Sequence, residues 1–193
     1  VLDLYERPTD PTHPRICFDE MPYQLVGDVL VPLPMIPGHN RKEDYEYERL
    51  GTYSILFAYD VDNGKRYLQI REQRTKADYA HFWDWLTTTH YPHVTQIHVV
   101  QDNLNTHTYG SFYAHLPATR AHQLRRQLAF HFTPKHGSWL NMAEIELAVL
   151  SRQTLARRFA TYDQFVAESL AWQDQRNAAH IHIAWSFTTT NAR

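Results

Sequence analysis

The stretch from residue 52 to residue 71 constrains the fold more than any other part of this chain. Residues 52–60 and 66–71 are rich in β-branched and aromatic side chains, and Asp62-Asn63-Gly64-Lys65 between them carries the Asn-Gly signature of a tight reversal. The pattern predicts an antiparallel hairpin. Beyond it, β-forming runs come singly and alternate with stretches of helical period. Over residues 76–89, Ala77, Ala80, Phe82, Trp83 and Leu86 recur near helical spacing, and Pro92 closes the run. Residues 96–101 form a short apolar strand ending at Asp102. Residues 111–130 hold a helical segment that leads into a strand at 128–132, stopped by Pro134. Ser138 is the expected N-cap of a long helix reaching about Phe159. A last helix over 163–178 should bury Phe165, Val166, Leu170 and Trp172. Ahead of the hairpin, residues 15–20 alternate as a strand, with Ile16 and Phe18 on one face and Cys17 and Asp19 on the other. Residues 25–37 read as irregular strand and loop, 41–48 as a charged connection, and 1–14, with three Pro, as extended linker.

An antiparallel block followed by alternating α and β units implies an α/β fold: a mixed five-stranded sheet with helices on both faces. RNase H-like folds have this order. The 193 residues suit one domain, and 43% hydrophobic against 21% charged residues supply an ordinary core. Cys17 is the sole cysteine, which excludes an internal disulfide and any multi-cysteine zinc site. With 19 Lys and Arg against 21 Asp and Glu, the net charge of −2 argues against a uniformly basic nucleic-acid surface and leaves only local patches. No apolar run has bilayer length and no signal pattern opens the chain, so the expected setting is cytoplasmic, away from membranes.

Three acidic positions stand where such a fold places chemistry. Asp19 lies on the first strand, Asp102 directly follows an apolar strand, and Glu144 is early in the long helix. The first and fourth strands are neighbours in this architecture, so Asp19 and Asp102 could lie side by side with a helix carboxylate at the third corner. Carboxylates without cysteine suit hard cations such as Mg²⁺ or Mn²⁺. Two such ions can clamp the attacking and leaving oxygens of a phosphoryl transfer. Each residue also has a plainer reading: Asp102 as a turn former, Asp19 and Glu20 as an exposed strand end, Glu144 as a helix-surface residue. Glu146 competes with Glu144. The two point about 200° apart on a regular helix, so they cannot serve one site.

The blocks ICFDE at 16–20, VVQDNLNTH at 99–107 and FTPKHGSWLNMAEIEL at 132–147 resemble the catalytic domain of bacterial insertion-sequence transposases of the mariner superfamily, the DDE type. The stretches PYQLVGDVLVPLP, DYEYERLGT and WSFTTTNAR add to the resemblance, which covers about residues 15–193. It implies an RNase H-like domain over 15–193, with 1–14 as a linker or the tail of an N-terminal DNA-binding region. It implies a catalytic, metal-binding triad of Asp19, Asp102 and Glu144. Glu144 is preferred because the family's last carboxylate follows an Asn by three residues, as Glu144 follows Asn141. Asn103, Asn105, His107, His136 and Asn141 are the expected supports around the triad. The implied cofactor is Mg²⁺ or Mn²⁺, as two ions. The implied partner is double-stranded DNA, both transposon ends and target, and a homodimer is allowed for. Cleavage at the ends would be followed by transfer of the freed 3′-hydroxyl into the target. Lys135, Arg120, Arg125 and Arg126 are the expected DNA contacts, with Arg152, Arg157 and Arg158 as a second cluster. Trp139 is read as a core residue at the helix start, with DNA stacking as its alternative. Two other readings stand beside this one: a truncated or domesticated remnant acting by binding alone, and an unrelated RNase H-like nuclease.

Overall fold

The computed structural model describes residues 1–28, 37 and 47–191. Strands β1 (Arg15–Asp28), β2 (Tyr47–Asp60), β3 (Lys65–Arg71), β4 (Ile97–Gln101) and β5 (Leu128–Phe132) form one sheet in the order β3-β2-β1-β4-β5. The first three are antiparallel neighbours, whereas β4 runs parallel to β1 and β5 parallel to β4. The expected hairpin is β2–β3. Its loop is organised by Asp60, whose Oδ1 accepts the N–H groups of Asp62 and Asn63, each at 2.9 Å. Gly64 closes the loop at φ 62°, in the left-handed region that favours glycine.

Alternation along the strands divides the core in two. Ile16, Phe18, Leu56, Ala58, Ile97 and Val99 face one layer, built by α2 (Lys76–Thr89), α3 (Tyr109–His115) and α4 (Ala118–Gln127). Cys17, Ile55, Phe57, Tyr59 and Val100 face the other, built by α1 (Leu2–Tyr5), α5 (Met142–Gln153) and α6 (Tyr162–Ala178). The mixed sheet with helices on both faces is therefore the expected RNase H-like architecture. Among the described residues no helix is long and apolar enough to cross a membrane.

Helix α2 has the expected bounds because periodicity and capping agree there. Thr75 accepts the Asp78 N–H, and the Asp78 carboxylate accepts the Thr75 N–H in return, a capping box. Elsewhere local chemistry overrides the apolar spacing. The helical segment expected after Ser111 is two helices, parted at Leu116 and Pro117. Leu116 is extended, as the residue before a proline prefers to be. Ser138 starts only a 3-10 turn, Ser138–Leu140, and the N-cap of α5 is Asn141, whose Oδ1 accepts the Ala143 N–H. Helix α5 ends at Gln153, not near Phe159; Leu155 and Phe159 are nonetheless buried, with Phe159 against Phe165 at 5.7 Å. Helix α6 buries Phe165, Ser169 and Trp172, whereas Leu170 is exposed.

The opening segment is not wholly extended. Arg15 holds α1 in place: its Nη1 donates to the carbonyls of Leu4, Tyr5 and Arg7 at 3.1, 2.9 and 2.9 Å, and its guanidinium pairs with Asp62. Leu4 is buried in the second core. The first strand is longer than expected and continues to Asp28. Most of the irregular stretch at 25–37 and of the charged connection at 41–48 lies outside the described residues.

Glu146 belongs to this scaffold. It is buried and takes the Arg66 guanidinium in two bonds of 2.7 Å, with Arg176 at 3.1 Å. Removing one partner of a buried ion pair leaves an uncompensated charge. Glu146→Ala should therefore lower the unfolding free energy by about 3–5 kcal/mol, measured by urea denaturation.

Candidate active site

Strands β1 and β4 run parallel with Cys17 opposite Val100, and both of these side chains face the α5 layer. Two residues further along each chain direction come Asp19, on that same face, and Asp102, just past the end of β4. Helix α5 is fixed against β1 by Asn141, which donates from Nδ2 to the Phe18 carbonyl at 2.8 Å while capping its own helix. Glu144 sits in the first turn of that helix.

The fields of these groups overlap. Burial, and then the charges of Asp102 and Glu144, push the Asp19 carboxyl up to about 7, against the Glu20 N–H that donates to Asp19 Oδ1 at 2.8 Å and against the field of His107. Asp102 moves the other way. The hydrogen bond from His107 Nδ1 to its Oδ1, at 2.6 Å, holds it below the usual carboxylate range despite partial burial, helped by the Leu104 N–H at 3.2 Å. Burial alone would lower His107. Its bonds to Asp102 and to Glu20 outweigh burial and raise it to about 9. Both ring nitrogens face carboxylate oxygens, an arrangement only the imidazolium can fully donate to.

The other expected residues divide between the two ends of the sheet. The Thr133 N–H donates to the Gln101 carbonyl at 2.9 Å, which brings the loop after β5 to the Asp102 end. Lys135 and His136 are exposed on that loop, His136 at φ 64°. Asn103 and Asn105 are exposed beyond β4. Trp139 is 49% exposed, with its ring edge-to-face with Phe187 at 4.9 Å, so the core reading fails: its backbone lies in the 3-10 turn, not in a buried first helical turn.

Arg120 and Arg126 line a groove with Gln96, Thr95 and His13, at the opposite end of β4 from Asp102. Arg120 is bound to Asp84 at 2.5 Å and to the hydroxyls of Thr87 and Thr88 at 2.7 and 2.9 Å, which ties α4 to α2. Arg125 lies over the Tyr109 ring at 4.0 Å. Arg157 pairs with Glu168 at 2.7 Å, Arg158 lies 6.0 Å over the Tyr47 ring, and Arg152 is exposed. Two residues have parts that the sequence reading missed: Glu20, read with Asp19 as a possible exposed strand end, and Arg74. Glu20 is buried against His107, and Arg74 lies close enough for its charge to lower Asp102. Strand alternation could have flagged Glu20, a carboxylate on the face of Ile16 and Phe18.

The oxygen-only donor set of Asp19, Asp102 and Glu144 fits a hard divalent cation in its chemistry. The side chains do not close on one point: among the described residues no three His, Cys, Asp or Glu side chains are gathered to hold an ion. Asp102 Oδ1 is turned onto His107, and like charges oppose closer approach.

Comparison with known proteins speaks to the family and the fold. The family model of the DDE superfamily endonucleases matches residues 14–166. The chain belongs to that family. Its fold is similar to that of the Mos1 mariner strand transfer complex, at a TM-score of 0.58 and 17% identity, over 92% of this chain and 50% of that one. The Mos1 paired-end complex with Mn gives 0.56 and 18% over 92% and 52%, and the isolated Mos1 catalytic domain gives 0.51 and 13% over 93% and 85%. The chain thus spans about half the length of the transposase chains in those complexes. No curated protein matches it.

The raised Asp19 carboxyl predicts a pH-dependent stability for this DDE endonuclease domain. Its folded value of about 7 exceeds that of an unfolded aspartate, near 4, so ionising it costs the folded state more than the unfolded one. The penalty is absent below about pH 4, grows through the interval up to 7, and is complete above it. Asp19→Asn should therefore stabilise the metal-free protein at pH 8 by on the order of 2–4 kcal/mol and change little at pH 4. Denaturation in chelator at the two pH values checks this.

Proposed function

We propose that this chain is the catalytic domain of a bacterial insertion-sequence transposase of the mariner superfamily. It cleaves phosphodiester bonds at transposon ends and transfers the 3′-hydroxyl strand into target DNA, in the cytoplasm. The observation that carries this reading is the placement of Asp19 and Asp102 beyond paired residues of neighbouring parallel strands, with Glu144 in a helix turn tethered to β1 beside Asp19. Family membership and the fold shared with Mos1 complexes on transposon ends support it.

Asp19, Asp102 and Glu144 would hold Mg²⁺ or Mn²⁺. Bound there, the metal supplies Lewis-acid activation of a water or 3′-hydroxyl and stabilises the leaving oxygen. The protein's own part is positioning. Asn141 sets the start of α5 against β1, and His107 orients the Asp102 carboxylate. Lys135, exposed at the same sheet end, would bind a backbone phosphate next to the scissile one.

Wild-type protein should nick supercoiled plasmid in Mn²⁺, and both Asp19→Ala and Glu144→Ala should reduce nicking to background. Equal nicking by wild type and both variants would overturn the reading. Lys135→Ala should weaken DNA binding uniformly across sequences and reduce the slope of log K against log salt by about one, measured by filter binding. Arg120→Ala should act mainly through stability, because its guanidinium is committed to Asp84 and two threonines.

A further inference from the structure

Glu20 is adjacent to Asp19 in sequence yet lies on the opposite face of the sheet. It shares that face with Ile16 and Phe18, under α2 and α3. Its side chain is 2% exposed, and Oε1 meets His107 Nε2 at 3.3 Å. The other oxygen, Oε2, is buried with no hydrogen-bond partner among the described residues. A carboxylate held in an apolar layer by one long contact is costly, and an aliphatic side chain would fit the face better.

What Glu20 touches gives the position its meaning. The His107 ring is held by the Phe18 ring edge-to-face at 5.3 Å and by Tyr79 stacked at 5.0 Å. The His107 carbonyl accepts from Gln101 Nε2 at 3.2 Å, and Tyr79 in turn donates to Gln101 Oε1 at 2.8 Å. The ring therefore has little freedom. Its far nitrogen reaches Asp102 Oδ1 at 2.6 Å. A continuous chain of contacts runs from Glu20, in the α2–α3 layer, through His107 to the Asp102 carboxylate just past the end of β4.

We propose that Glu20 is a positioning residue that acts through His107 to fix the Asp102 carboxylate for metal binding. The inference rests on the reading of Asp102 as a metal ligand. Glu20 holds Nε2, so that Nδ1 donates to one oxygen of Asp102. That oxygen is occupied and the rotation of the group is set, leaving the second oxygen in a defined direction. Outer contacts of this kind typically contribute ten- to a hundredfold to metal affinity.

The test is the melting temperature of the full chain titrated with MnCl₂, for wild type, Asp102→Asn, Glu20→Gln, His107→Gln and the Glu20→Gln/His107→Gln double variant. Wild type should melt higher with Mn²⁺ and Asp102→Asn should not. Glu20→Gln should need about tenfold more Mn²⁺ for half of the rise. The double variant should need no more than His107→Gln, since both changes cut one chain of contacts. A purely structural Glu20 would lower the metal-free melting temperature and leave the Mn²⁺ midpoint where it was, and that result overturns the proposal. So does a double variant whose losses multiply. If Glu20→Gln fails to fold alone, the comparison of His107→Gln with wild type decides: an unchanged midpoint overturns the proposal. A wild type indifferent to Mn²⁺ would instead remove the metal reading of the site itself.

Discussion

Strand β1 serves two neighbours of opposite sense. Along one edge it pairs antiparallel with β2 for nearly its whole length; along the other it pairs parallel with β4 over Arg15, Ile16 and Cys17. An antiparallel partner can follow through a short turn, but a parallel one needs the chain to cross back over the sheet. Here the hairpin β2–β3 takes the chain outward and α2 carries it back across a face to β4. The result is a change of winding direction at β1 and β4, and open sheets present ligands beyond the carboxyl ends of strands at such points. Asp19 and Asp102, far apart in sequence, become neighbours for that reason. The single amide of Asn141 then adds α5 to the same place, since one side chain both caps the helix and holds the Phe18 carbonyl.

Legibility from sequence followed the number of signals that agreed. At 76–89 the apolar period, the Thr75 cap and the closing residues all point to one helix, and α2 has those bounds. At 128–132 the β-formers between Gln127 and Pro134 give β5 as expected. Near Ser138 two capping residues compete, and spacing alone favoured the wrong one. Asn141 prevails because its amide can cap with the carbonyl oxygen and still donate to β1, a tertiary bond that the local sequence does not contain. The arginines illustrate the same limit. Basic character at 120, 125 and 126 is visible in sequence, but the Asp84 carboxylate and the Tyr109 ring that engage Arg120 and Arg125 come from other elements.

Helix α5 shows how charge allocation separates structure from chemistry. Its two carboxylates point about 200° apart. The protein supplies Glu146 with two guanidiniums, from Arg66 on β3 and Arg176 on α6, inside a layer closed to water. Asp19, across from Glu144, receives a backbone N–H and the field of a histidine, while two carboxylates act on it in the opposite sense. Two acids on facing elements, Asp19 on β1 and Glu146 on α5, thus meet opposite electrostatic treatment. A buried carboxylate with two cations is a finished contact. A carboxylate raised to about 7 by burial and then by the charges of its neighbours is a strained one, and strain of this kind collects where a group must bind or react.

The finished contact also governs the strained one. A helix packed only through Leu147, Leu150 and Ala143 can rock about its axis at small cost, because apolar contacts are non-directional. Two bonds of 2.7 Å from the Arg66 guanidinium to Glu146 are directional and fix the azimuth of α5. The Asn141 tether fixes its height along β1. With rotation and height both set, the direction of Glu144 is set as well, although no side-chain bond holds Glu144 itself among the described residues. The buried Arg66–Glu146–Arg176 cluster is therefore part of how Glu144 is aimed, from the side of the helix that faces away from it.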